Sequence, residues 1–104
     1  MNVPATLLDD IRVSDLTDET GLYCTKLLAD HGAEVIKIEP MTHFDRLRFV
    51  QPAPDDKAGN LNCGGFCNNF NSSKLSMALN LNHLKTKALA TRLILASDIV
   101  VENF

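Results

Sequence analysis

No stretch of this sequence is apolar for long enough to cross a membrane as a helix, which sets aside a helical membrane protein. The opening MNVPATLLDD has neither a basic lead nor a long apolar core, so it does not read as a secretory leader. Cysteine is scarce, with three in 104 residues, and the odd number argues against a disulfide framework. The cytoplasm is the compartment these features lead one to expect. Basic residues are also in the minority. Ten Lys and Arg against thirteen Asp and Glu leave a net charge of −3, which gives no reason to expect nucleic acid or an anionic membrane as a partner. A local basic pocket for a small anion stays open.

What is present suits one small folded domain. Hydrophobic residues make up 45% and charged residues 22%, enough of the first to build a core and too few of the second for disorder. No internal repeat is visible. Ile11 to Leu16 reads as a strand after the turn-prone Asp9-Asp10. Thr17-Asp18-Glu19-Thr20 supplies N-cap residues and early acids for a helix over 20–31. Helical spacing there puts Tyr23, Cys24, Leu27 and Leu28 on one side, the expected core face, and Gly32 sits where a left-handed cap belongs.

Glu34 to Glu39 is a second strand, rich in β-branched residues. Residues 40–73 carry prolines, asparagines and a Gly-Gly pair, and read as a long loop with a helical turn near 43–50. Leu75 to Leu81 alternates apolar and polar residues, the pattern of a strand with one greasy face. Asn82 is placed to cap a helix over 83–96 that is apolar around much of its circumference, and 98–102 is the fourth strand. The order β-α-β-loop-β-α-β predicts an α/β fold, a parallel Rossmann-like sheet with flanking helices. Four strands would leave exposed edges.

Four blocks, IRVSDLT, GLYCTKLLADHGAEVIKIEP, NSSKLSMALNL and SDIVVENF, occur in this order. Together they resemble the N-terminal part of the large domain of the family III CoA-transferases (CaiB/BaiF type). That family includes formyl-CoA transferase, a carnitine CoA-transferase and α-methylacyl-CoA racemase. The resemblance spans residues 8–104. It implies that residues 1–104 are an incomplete N-terminal α/β segment of a longer protein, ending where a binding loop begins. It implies coenzyme A or acyl-CoA and a carboxylic acid as substrates, no metal, and an interlocked homodimer for the full-length family. In the transferase branch an aspartate attacks the acyl-CoA thioester and forms a mixed anhydride, which is covalent carboxylate catalysis. In the racemase branch a His/Asp pair moves an α-proton. In both, the catalytic acids lie beyond this segment, so no residue here inherits a catalytic role.

The resemblance carries CoA contacts to Glu19 and Thr20 in the first strand-helix turn, and to Leu79, Asn80, Leu81 and Asn82 after the third strand. Asn103 and Phe104 match the family's Asn-Phe contact. Lys74 matches a lysine that either approaches a phosphate or lies in a solvated turn. Two of the family's basic contacts are replaced here, by Pro40 and Asn82, and the turn between Thr17 and Cys24 is one residue short. Binding of CoA by this chain is therefore expected to be weak or absent.

Two other classes fit some of the residues. Cys63 and Cys67, with His43 loosely nearby, suggest a metal or redox site, but zinc wants four ligands at firmer spacing. Asp9, Asp10 and Asp15 near the first strand suggest a non-catalytic flavodoxin-like binding module, although aspartates there also serve as turn formers.

Overall fold

Each run of β-branched residues forms a strand in the computed structural model, which describes residues 6–40, 42, 44–49 and 65–103. The strands are β1 (Arg12–Leu16), β2 (Glu34–Glu39), β3 (Leu75–Ala78) and β4 (Ile99–Glu102), and the helices α1 (Leu22–Asp30), α2 (Gly65–Phe70) and α3 (Leu84–Leu95). The strands form one parallel sheet in the order β3-β2-β1-β4, as the alternation of strand and helix predicts. Val13 lies beside Val35 on one side and Ile99 on the other. The chain builds outward from β1 in one direction and then returns to its other flank. The carboxyl ends of β1 and β4 therefore mark the point where strand order reverses.

The core sits between the sheet and α1. Val13, Val35, Ala33 and Ala29 are buried together, with Leu8, Ile11, Leu28 and Val101 packed around them. The buried stripe of α1 is Leu22, Thr25 and Ala29. This corrects the expected face, because Tyr23 is 56% exposed, Leu27 41%, and Cys24 is exposed as well. The small Ala29 lets the helix approach the sheet closely, and the hydroxyl of Thr25 has a buried partner described below. Tyr23 instead meets Phe70 of α2 edge to face, with ring centroids 6.3 Å apart, and Phe66 stacks on Phe70.

The segment 40–73 is less loop-like than its composition suggests, since it holds α2 and a 3-10 turn at Arg46–Arg48. Asp45 starts that turn by accepting the backbone N–H of Leu47. The third strand stops at Ala78, short of the expected Leu81, although the N–H of Leu79 still reaches the carbonyl of Glu39 at 3.3 Å. The cap of α3 is His83, not Asn82. Thr86 secures that entry by donating its hydroxyl to the carbonyls of Asn80 and His83. Gly32 has φ +102°, the left-handed turn its position after α1 suggests. Of α3 only Ala90 is buried. Leu84 and Leu95 are more than four-fifths exposed, so the apolar circumference of this helix is largely bare among the described residues.

Candidate functional site

The carboxyl ends of β1 and β2 carry an unusual density of buried polar side chains. Val35, Lys37 and Glu39 alternate onto the α1 face of β2, and all three are buried. A buried charge needs a partner, and each of these has one. Lys37 Nζ donates to the carbonyl of Thr17 at 2.8 Å and lies 3.4 Å from Asp45 Oδ2. Glu39 receives the guanidinium of Arg48, with Nη2 at 2.6 Å and Nε at 2.9 Å, and the backbone N–H of Asp45 at 2.7 Å. Together these bonds fold the 3-10 turn at 45–48 over the end of β2.

A second pair lies beneath α1. Asp15, fully buried in β1, accepts the N–H and the hydroxyl of Thr17 through Oδ1, while Oδ2 is 3.0 Å from Lys74 Nζ. Lys74 also donates to Thr25 Oγ1 at 2.7 Å and Asn71 Oδ1 at 3.0 Å. Burial weighs against both charges. For Asp15, the hydrogen bond from Thr17 and the charge of Lys74 outweigh it and hold the carboxyl below its ordinary value of 3.8. For Lys74, burial outweighs the attraction of Asp15 and draws the ammonium below its ordinary value. Burial likewise opposes the charge of Glu39, but the bonds from Arg48 and Asp45 win, and its carboxyl too lies below its ordinary value of 4.5.

These two carboxylates predict an acid weakness. Both titrate lower in the native state than in the unfolded chain. Below about pH 5 the unfolded chain therefore takes up protons that the native state refuses, and stability falls until the native carboxyls protonate as well. The urea midpoint should be level near neutrality and drop between about pH 5 and about pH 3. A midpoint unchanged across that window would show that these carboxylates are not held in the native state as described.

Above this polar floor lies a cleft of about 130 Å³, lined by Leu16, Thr17, Asp18, Ile38, Pro40 and Leu81 with Lys37, Glu39 and Asp45 at its base. It has the position expected of a ligand site in an open α/β sheet, beyond the carboxyl ends of the strands. Asn103 ties its far side together. Its Oδ1 accepts the N–H of Asp18 at 3.1 Å and its Nδ2 donates to the carbonyl of Asp18 at 2.9 Å, so the segments after β1 and β4 are stapled at the reversal point. Gly21 allows this close approach, because a Cβ there would lie 2.6 Å from Thr17 Cβ and 3.0 Å from Asn103 Cγ.

Most of the residues expected to contact CoA are not part of the lining of this cleft. Leu81 lines it. Glu19 and Thr20 stand in the 3-10 turn that follows Asp18, where Glu19 has φ +40°, a strained value for a residue with a side chain. Asp18 caps this turn without a side-chain bond, contrary to the expected capping role. Glu19 pairs with Arg46 at 2.9 Å across to the 45–48 turn. Leu79 and Asn80 are half-buried beside β3, with Asn80 Oδ1 accepting the N–H of Asn82, and Asn82 itself is exposed. Lys74 is enclosed, its side chain 1% exposed, and so does not lie in a solvated turn. A phosphate would have to displace Asp15 to reach it. Phe104, His43 and Cys63 lie outside the described residues. Cys67 is buried in α2, and no group of metal-ligating side chains occurs among the described residues.

Comparison with known proteins converges on one family. Residues 8–104 match the family described as CoA-transferase family III. The succinyl-CoA:mesaconate CoA-transferase of Haloarcula marismortui is 41% identical over 98 residues, which cover 93% of this chain and 24% of that protein. The formyl-CoA:oxalate CoA-transferase of Escherichia coli O6:H1 is 37% identical over 102 residues, 96% of this chain and 23% of that one. Among solved structures, a CaiB/BaiF family protein from Brucella suis superposes with a TM-score of 0.82 at 28% identity, over 95% of this chain and 26% of that chain. The Rv3272 protein of Mycobacterium tuberculosis gives 0.81 at 30% identity, over 98% of this chain and 26% of that chain. The chain spans about a quarter of the length of these relatives. With sequence blocks, strand order and neighbours in agreement, the chain belongs to CoA-transferase family III.

Proposed function

We propose that residues 1–104 form the N-terminal α/β segment of the large domain of a CoA-transferase, and that the segment holds the adenine end of CoA in the cleft beyond β1 and β2. The observation that carries this is the cleft itself. Its apolar lining of Leu16, Ile38, Pro40 and Leu81 suits the face of a flat base, and the strand ends bring backbone polar groups to its edge. The names of the relatives support moving CoA between an acyl-CoA and a carboxylic acid, rather than racemisation. The reaction would pass through an aspartyl anhydride on a carboxylate that this segment does not supply, and through an interlocked homodimer of the whole protein. The segment's own contribution is to position the thioester, which lowers the barrier by orientation alone.

The test uses the 104-residue chain with methyl-resolved NMR. Millimolar CoA should shift the methyls of Leu16, Ile38 and Leu81 saturably, with a dissociation constant of about a millimolar. The same sample should transfer no CoA from succinyl-CoA to mesaconate or from formyl-CoA to oxalate. Shifts confined to other residues, or none, would overturn the placing of CoA. Turnover would overturn the statement that the nucleophile lies elsewhere.

A further inference from the structure

The geometry points to Arg46 as the anion contact of the cleft, with Glu19 occupying it as an internal competitor until a ligand phosphate arrives. This rests on the reading of the cleft as a CoA site, and it names the group within it that meets the negative charge.

CoA carries phosphates, so a site for it needs a cation that can change partners. Three cations belong to β2 and the turn that folds over its end: Lys37, Arg46 and Arg48. Lys37 is buried between the carbonyl of Thr17 and Asp45. Arg48 is clamped to Glu39, both side chains being less than one-fifth exposed. Freeing either one would leave a carboxylate buried without its partner, which is costly. Arg46 differs. Its side chain is 75% exposed, and its partner Glu19 is 36% exposed, so breaking that pair returns both charges to water at little cost.

The placing of this pair is as informative as its exposure. Glu19 follows Asp18 and Arg46 follows Asp45, and both of those aspartates line the cleft. Their ion pair, 2.9 Å long, therefore ties the segment after β1 to the turn beyond β2, next to two residues of the cleft. A guanidinium in that position presents a planar fork of N–H donors, matched to phosphate as well as to carboxylate. Glu19 is held there at a strained φ of +40°, a conformation that a simple surface residue has no reason to keep. The carboxylate is thus a stand-in for the ligand's own anion. Binding is an exchange in which Arg46 passes from Glu19 to phosphate, and it pays for that exchange in affinity.

Two variants and three probes test this on the 104-residue chain, with folding checked by the amide spectrum. Glu19→Gln removes the competitor and should tighten CoA and ADP by about threefold. Arg46→Gln should weaken both by about threefold or more. Adenosine, which lacks phosphate, should bind all forms alike. In the double variant the gain from Glu19→Gln should vanish, because there is no guanidinium left to release. If CoA moves the Leu16 and Leu81 methyls equally well in wild type and both variants, the assignment of Arg46 is wrong while the cleft reading stands. If both single variants weaken CoA, the pair is a clasp that closes the cleft, and the competitor role is overturned. If neither CoA nor adenosine moves those methyls in any form, the cleft reading fails and the assignment falls with it.

Discussion

Replacing Lys74 with methionine is expected to remove roughly half of the protein's stability near neutral pH. The substitution keeps much of the volume and removes only the charge. Asp15 would then hold a carboxylate in the interior of β1, fully buried, with Thr17 as its remaining donor. Removing one partner of a buried ion pair costs about 3–5 kcal/mol, because the other charge is left without compensation. A small domain has about 5–10 kcal/mol in total. Thr25 and Asn71 would also lose the ammonium that joins α1 to the turn before β3. The control is the pair Lys74→Met with Asp15→Asn. Taking away both charges should recover part of the lost stability, since a neutral amide is cheaper to bury than a lone carboxylate. Urea unfolding followed by circular dichroism reads both. A single variant that unfolds at the wild-type urea concentration would show that the pair contributes nothing.

Arg48→Met is expected to have the next largest effect, a loss of about 2–3 kcal/mol together with local opening of the 45–48 turn. Glu39 would keep only the backbone N–H of Asp45, and the turn would lose the fork that pins it to β2. Hydrogen exchange separates the two consequences. The amides of Asp45 and Leu47, which donate to Glu39 and Asp45, should lose protection by more than the global change in stability accounts for. The amides of β1 should follow the global change only. Unaltered protection at Asp45 would mean that the turn is held by something other than Arg48.

The strands β1, β2 and β4 were legible in the sequence because Val13, Val35, Ile36, Ile38, Ile99 and Val101 advertise them by side-chain shape, and β3 was legible by its alternation of apolar and polar residues. The inward face of α1 was not. Counting apolar residues at helical spacing selects Tyr23, Cys24 and Leu27, whereas the sheet receives Leu22, Thr25 and Ala29. Thr25 is buried because Lys74, forty-nine positions away, brings it a donor, and no local pattern contains that information. The same holds for the floor of the cleft. Lys37, Glu39, Asp45 and Arg48 read individually as surface charges, and only the fold shows that they neutralise one another. Asn103 was legible as a residue of interest, but its present role as a staple on Asp18 depends on two segments meeting.

The position of β1 between β2 and β4 has a kinetic consequence. Its first neighbour is made soon after it, but its second arrives only when β4 has been synthesised, and the staple from Asp18 to Asn103 spans 85 positions. Long-range closures of this kind slow folding, because chain entropy is lost before the contacts that reward it can form. Until then β1 presents an open edge of unpaired amides and carbonyls to any other strand in the cell. A nascent chain of this protein is thus exposed to mispairing at its future centre rather than at its rim, and a chaperone that shields β1 during synthesis would raise its yield more than one that shields α3.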